Sequence, residues 1–217
     1  MIERTIAVGT HGRYLVEPAT AASPAPLLIG FHGYGEGAEV QLERMRRIPG
    51  ADRWLLVSIQ GLHRFYQRRA NEVVASWMTR QDRDLAIGDN VTYVEAVIDA
   101  VSHDHPNPPR LVLAGFSQGV AMMFRAAIVA SRAVDGVIAV GGDVPPEIDA
   151  TALARVRRAL VCRGTGDEWY TDMIFQKDVE RLRAADVAVR PLEFAGGHEW
   201  SDQAVQAASI FLRERWP

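Results

Sequence analysis

A chemical reading of this chain turns on Ser117. It stands at the centre of Gly115-Phe116-Ser117-Gln118-Gly119, between an apolar run at 111–114 and a helix-forming stretch that continues to Val129. Strand, sharp turn and helix in that order lift a hydroxyl clear of a sheet. The two glycines let strand and helix approach where side chains would collide. The helix also aims its positive end and its unpaired N–H groups at the serine, where an anion forming on a substrate would be stabilised. The five-residue pattern alone is moderate evidence, and its position between a β-run and a helix strengthens it. The sequence therefore predicts Ser117 as a nucleophile.

A hydroxyl near its free pKa attacks poorly, so Ser117 needs an imidazole in reach, and the imidazole needs a carboxylate to orient it. Of the six histidines, His198 is the one in a glycine-flanked loop between a late β-run and the last helix, and it is the expected general base. His11, His63, His103 and His105 lie in polar connectors and read as exposed. His103-x-His105 has no third metal ligand in view, so no metal is expected. Two acids compete for the remaining role. Asp167 is favoured because its turn, 164–167, is tight and lies one strand closer to the histidine; Asp143, after the preceding β-run, stays open as the alternative. An oxyanion needs two donors aimed at one point. The N–H of Gln118 is one, and the glycine-dense loop His32-Gly33-Tyr34-Gly35-Glu36-Gly37 offers the Tyr34 N–H as the other, with His32 shaping that loop. Cys162, inside a β-run, reads as a small buried apolar residue.

The elements that must position these groups alternate along the chain. A hairpin is expected from runs at 2–8 and 13–16, followed by a Pro/Ala-rich connector at 18–26. Further β-runs fall at 27–31, 54–59, 111–114, 136–140, 159–163 and 187–194. Helices are expected at 38–47, from Asp89 with Val91, Val94, Ile98 and Val101 on one face, after Ser117, at 152–158, around Phe175, Val179 and Leu182, and from about 202. Residues 60–83 show no period and carry Phe65, Tyr66, Trp77 and Met78; they read as a long, lid-like loop. Alternating strands and helices argue for a mainly parallel sheet covered on both faces, in one α/β domain spanning 1–217. Reactive groups on such sheets gather at the carboxyl ends of the strands, where Ser117, Asp143, Asp167 and His198 all fall.

With 217 residues, 48% hydrophobic and 24% charged, the chain suits one soluble domain with a real core. A net charge of -3 offers no basic surface for nucleic acid, and the cluster Arg64, Arg68, Arg69 is short enough to be a solvated face. The single cysteine allows no internal disulfide and fits a reducing, cytoplasmic setting. The first residues are broken by charges, without an apolar core of signal-peptide length, and no run approaches a membrane span.

Taken together, FHGYGEG, SWM with the later IGDNVTYVEAVID, LAGFSQGVAM, GTGDEW and GGHEW make the chain resemble the phospholipase/carboxylesterase group of the α/β-hydrolase superfamily over nearly its whole length. The resemblance implies a Ser117–Asp167–His198 triad, Tyr34 and Gln118 amides as oxyanion hole, and no metal or organic cofactor. It implies hydrolysis of a small ester or thioester through an acyl-serine. Two departures, Glu168-Trp169-Tyr170 after the acid and Gly142-Asp143 after the 136–140 run, sit beside the expected acyl pocket. They predict a shortened pocket for short or aromatic acyl groups, lined by His32, Trp77, Met78, Asp143, Trp169 and Tyr170. A homodimer is compatible with the sequence. The competing readings are a ligand-binding protein on the same fold, which would usually lack a triad member, and a serine peptidase sharing the triad. A Rossmann-type nucleotide binder would need G-x-G-x-x-G, and the loop after Phe31 is G-x-G-x-G.

Overall fold

A computed structural model describes residues 1–20, 24–67, 71–106 and 108–214. In chain order the strands are β1 (Arg13–Glu17), β2 (Leu27–Phe31), β3 (Leu55–Gln60), β4 (His63–Gln67), β5 (Glu72–Ser76), β6 (Leu111–Phe116), β7 (Gly136–Val140), β8 (Arg158–Gly164) and β9 (Ala188–Phe194). The helices are α1 (Ala38–Arg46), α2 (Arg83–Asp104), α3 (Gln118–Val129), α4 (Ala150–Leu153), α5 (Asp172–Ala184) and α6 (Asp202–Arg213). Seven strands form one sheet in the order β1-β3-β2-β6-β7-β8-β9, parallel except for β1, which runs antiparallel to β3. None of the described helices is long and apolar enough to cross a membrane.

Strand alternation sorts the core into two layers. Leu27, Ile29 and Phe31 of β2 face one side with Leu111 and Leu113 of β6, covered by α2, α3 and α5. Leu28, Val112, Ala114 and Cys162 face the other, covered by Leu42 and Met45 of α1 and Phe211 and Leu212 of α6. The central strands β2, β6 and β7 are apolar at every position because both faces are covered.

Four expectations change. Residues 1–12 form no strand: Ile2, Ile6 and Val8 stand exposed, and β1 pairs with β3 instead of with them. Alternation marks a strand only where a covering layer receives its apolar side, and here none does. The second helix starts at Arg83 instead of Asp89. Its first turns carry an exposed Leu85, so they lie outside the periodic stripe. The short helix before β8 is one turn, α4, capped by the Asp149 carboxylate accepting from the Ala152 N–H at 2.8 Å. Residues 60–83 are not an aperiodic loop: their described part holds the antiparallel hairpin β4–β5. All five residues of β4 are exposed, so no inside–outside pattern marks it. Arg68 and Arg69 lie outside the described residues, and Arg64 donates to the His11 carbonyl at 3.1 Å.

Asn90, fully buried on α2, ties the base of this hairpin to the core. Its Nδ2 donates to the Trp77 and Ala86 carbonyls at 2.9 Å each, and its Oδ1 accepts from the Leu62 N–H at 3.1 Å. Truncation would strand buried backbone groups without partners. Asn90→Ala is therefore expected to cost about 2–3 kcal/mol, read as a drop of about 5–10 °C in thermal midpoint. A midpoint unchanged within error would show that water replaces the amide.

Candidate active site

Ser117 sits at the turn between β6 and α3 with φ 52° and ψ -123°, a positive-φ geometry costly for a residue with a side chain. Its N–H donates to the Val140 carbonyl at 3.0 Å, and its carbonyl accepts from the Val120 N–H at 2.9 Å, which together hold the turn. The reason for Gly119 is steric. A Cβ there would lie 2.3 Å from the Phe31 oxygen and 2.5 Å from the His32 oxygen, so α3 starts pressed against the end of β2. A Cβ on Gly115 would meet the Val120 Cα at 2.8 Å.

Across the sheet end, the loop after β9 brings His198 Nε2 to 2.8 Å from Ser117 Oγ. His198 Nδ1 lies 2.8 Å from Asp167 Oδ2. With the ring proton on Nδ1, the histidine donates to Asp167 and accepts from the serine hydroxyl. Asp167 is buried after β8, and its other oxygen accepts from the Trp169 and Tyr170 N–H groups at 2.9 Å each. The carboxylate is thus held by hydrogen bonds on both oxygens. Of the two candidate acids, Asp167 reaches the histidine; Asp143 lies instead on the lining of the adjoining cavity.

The glycine-dense loop after β2 leaves the Tyr34 amide without an acceptor among the described residues. The Gly33 N–H donates to Glu36 Oε2 at 2.8 Å, the Gly35 N–H to the Ala75 carbonyl at 3.0 Å, and the Glu36 N–H to the Gly33 carbonyl at 3.4 Å. Among the described residues, neither the Tyr34 nor the Gln118 N–H has an acceptor in the protein. Tyr34, Ser117, Gln118 and His198 share the lining of a cavity of about 540 Å³ with Asp143, Trp169, Tyr170 and Ile174.

Three expected pocket residues lie elsewhere. His32 is fully buried and stacks on Trp77 at 5.1 Å; its Nε2 accepts from the Gly61 N–H at 3.0 Å and its Nδ1 donates to the Gly33 carbonyl at 2.7 Å. Burial lowers its pKa, so the ring stays neutral. Trp77, also fully buried, donates its indole N–H to the His32 carbonyl at 2.8 Å. Both belong to the floor beneath the loop, because each polar atom finds its partner there and not in the cavity. Met78 contributes its carbonyl, which accepts from Gln118 Nε2 at 2.9 Å, while its sulfur points to Arg125 at 3.9 Å. Sequence reasoning passed over the Gln118 side chain, whose Oε1 accepts from the Trp77 N–H at 3.0 Å and so ties the hairpin base to the serine turn.

It also passed over Glu36 and Arg44. Arg44 grips Glu36 through two bonds of 2.6 Å, and its guanidinium lies 4.1 Å from the Phe116 ring, which in turn packs 5.0 Å from the His198 ring. No three of the His, Cys, Asp or Glu side chains among the described residues gather as a metal site.

A strained serine turn at the end of a central parallel strand, with an acid and a histidine arriving from later strand ends, defines an α/β hydrolase. The phospholipase/carboxylesterase family profile matches residues 14–215, and the chain belongs to that family. Its fold is similar to that of a carboxylesterase from Mesorhizobium loti, at 20% identity, with 94% of this chain and 95% of that one covered and a TM-score of 0.79. It is similar also to esterase PE8, at 20% identity, 94% and 99% coverage and a TM-score of 0.74. For Zea mays acyl-protein thioesterase 2 the values are 15%, 93%, 98% and 0.72. No curated protein matches the sequence.

Glu36 holds the Gly33 amide and so the loop that carries Tyr34. Burial alone would raise its pKa, but Arg44 and the Gly33 N–H more than offset this and hold the carboxyl below its ordinary value. A depressed carboxyl stabilises the fold above the ordinary carboxylate range, and that contribution is lost as pH falls through the lowered value. Glu36→Gln should therefore melt lower than wild type at neutral pH, with the gap closing in acid. As a positioning residue it should also lower kcat by about tenfold with little change in KM. Parallel melting curves at every pH, or a change confined to KM, would contradict this role.

Proposed function

We propose that the protein is a serine carboxylesterase that hydrolyses small carboxylic esters or thioesters through an acyl-Ser117 intermediate. The observation that carries this is the continuous hydrogen-bonded line Ser117–His198–Asp167, opening on a cavity where the Tyr34 and Gln118 amides have no acceptor among the described residues.

In the first step His198 Nε2 takes the Ser117 proton as Oγ attacks the carbonyl carbon. Asp167 stabilises the imidazolium that forms and keeps Nε2 turned towards the serine. The Tyr34 and Gln118 N–H groups receive the tetrahedral oxyanion. His198 then protonates the leaving alcohol or thiol, leaving acyl-Ser117. Water attacks the acyl group with the same imidazole as base, and the acid departs as Oγ regains its proton. Trp169, Tyr170 and Ile174 on the cavity lining favour short or aromatic acyl groups over long chains. The buried free thiol of Cys162, whose pKa burial raises, plays no part and fits a cytoplasmic setting.

Hydrolysis of p-nitrophenyl esters of increasing chain length tests the reading. Ser117→Ala should reduce kcat by at least about 10³-fold with an unchanged circular dichroism spectrum. Asp167→Asn should reduce it by about 10³–10⁴-fold, far more than Asp143→Asn. Equal losses in the two aspartate variants would reopen the choice of acid, and an optimum at long chains would contradict the short pocket.

A further inference from the structure

The cavity beside Ser117 carries a charge that the hydrolytic chemistry does not use. Among the described residues, Asp143 is the one carboxylate on its lining, and none of those lining it is a lysine or arginine. Asp143 is exposed, and among the described residues its carboxylate has no hydrogen-bond or ion-pair partner. Three arginines of the surrounding elements are engaged elsewhere. Arg181 donates to the Val144, Pro145 and Ile148 carbonyls at 2.7, 2.9 and 2.8 Å and approaches Asp178 at 3.5 Å. Arg44 holds Glu36, and Arg163 pairs with Glu193 and donates to the Tyr170 carbonyl. Behind the lining, the Tyr170 hydroxyl donates to the buried Asp178 carboxylate at 3.2 Å, and Arg181 approaches that carboxylate from the other side. Burial raises the Asp178 carboxyl and the nearby Asp143 charge adds to that rise, against the Val144 N–H and Arg181.

Beside this carboxylate the cavity presents aromatic rings to solvent. Trp169 is 80% exposed and Tyr34 63% exposed, and neither ring is covered by a neighbouring layer. Tyr34 leans on Phe65, with ring centres 5.7 Å apart. A carboxylate without an ion-pair partner among the described residues, with accessible aromatic faces and no lysine or arginine among the described lining residues, has the composition that attracts an organic cation. An anionic group would meet repulsion from Asp143 in the same place.

We infer that Asp143, with Trp169 and Tyr34, forms a subsite for an ammonium group, and that the enzyme acts preferentially on esters or thioesters carrying a positive charge near the scissile carbonyl. This rests on the serine-esterase reading above. Asp143 is a specificity-determining residue in it and takes no part in bond breaking.

Two substrate pairs test the subsite. One is butyrylcholine against the neutral ester in which carbon replaces its quaternary nitrogen, with the cation on the alcohol side. The other is the p-nitrophenyl ester of a γ-trimethylammonio butyrate against its carbon isostere, with the cation on the acyl side. Rates of kcat/KM are normalised by hydroxide-catalysed hydrolysis of each ester. Wild type should prefer the cationic member of at least one pair by about tenfold. Asp143→Asn should reduce that preference to about twofold or less, Asp143→Glu should keep most of it, and high salt should weaken it in wild type. Equal rates within both pairs, or a preference that Asp143→Asn leaves intact, would overturn the subsite. If the neutral esters are turned over and Ser117→Ala abolishes that turnover, such a result removes the subsite alone. Turnover that survives Ser117→Ala, or no turnover of any of the four esters, removes the esterase reading and the subsite with it.

Discussion

The close approach of α3 to the end of β2 is the constraint on which the rest of this site depends. A Cβ at Gly119 would fall inside the Phe31 and His32 carbonyl oxygens, so only glycine allows the helix to begin there. That contact sets the strained serine turn directly beside the loop that starts at His32. One backbone junction thus brings the serine, the N–H after it and the Tyr34 N–H to a common mouth. An oxyanion site built from backbone cannot be tuned by choosing side chains. It can be built only by fixing how closely two chain segments pack.

The loop and hairpin around that junction are held by a polar floor instead of by apolar packing. His32 bonds at both ring nitrogens, Trp77 donates to the His32 carbonyl, Asn90 uses both ends of its amide, and the Gln118 side chain bridges Trp77 and Met78. Each of these groups is buried or half-buried, so each needs its partner. The arrangement gives a loop rich in glycine a rigidity that its own sequence would not supply. Glu36 and Arg44 close the same loop from the α1 side, with Phe116 carrying the contact on to His198.

On the other flank, the turn after β8 spends one Asp167 oxygen on its own backbone and presents the other to His198. This explains why Asp167 and Asp143, both at strand ends on the same edge, take different places. The 164–170 turn folds back over its carboxylate. The 141–145 turn gives its amides to others, the Gly141 N–H to the Cys162 carbonyl and the Val144 N–H to Asp178, and leaves Asp143 facing the cavity.

The amino-acid sequence by itself determined the alternating α/β architecture, most strand positions, the serine turn and the histidine loop, because these depend on local period and on glycine spacing. It also carried the motifs that mark the family. It misjudged segments whose local pattern was silent or misleading. The exposed β4 strand shows no alternation, and the β-run at 2–8 has no layer to cover it. Only the tertiary structure decided which acid meets His198, that His32 and Trp77 are floor and not pocket, and that Asp143 shares a cavity lining with Trp169 and has no partner among the described residues. Those outcomes depend on where separate strand ends converge and on which polar atoms find partners there. Distance in space sets both, and spacing along the chain does not encode it.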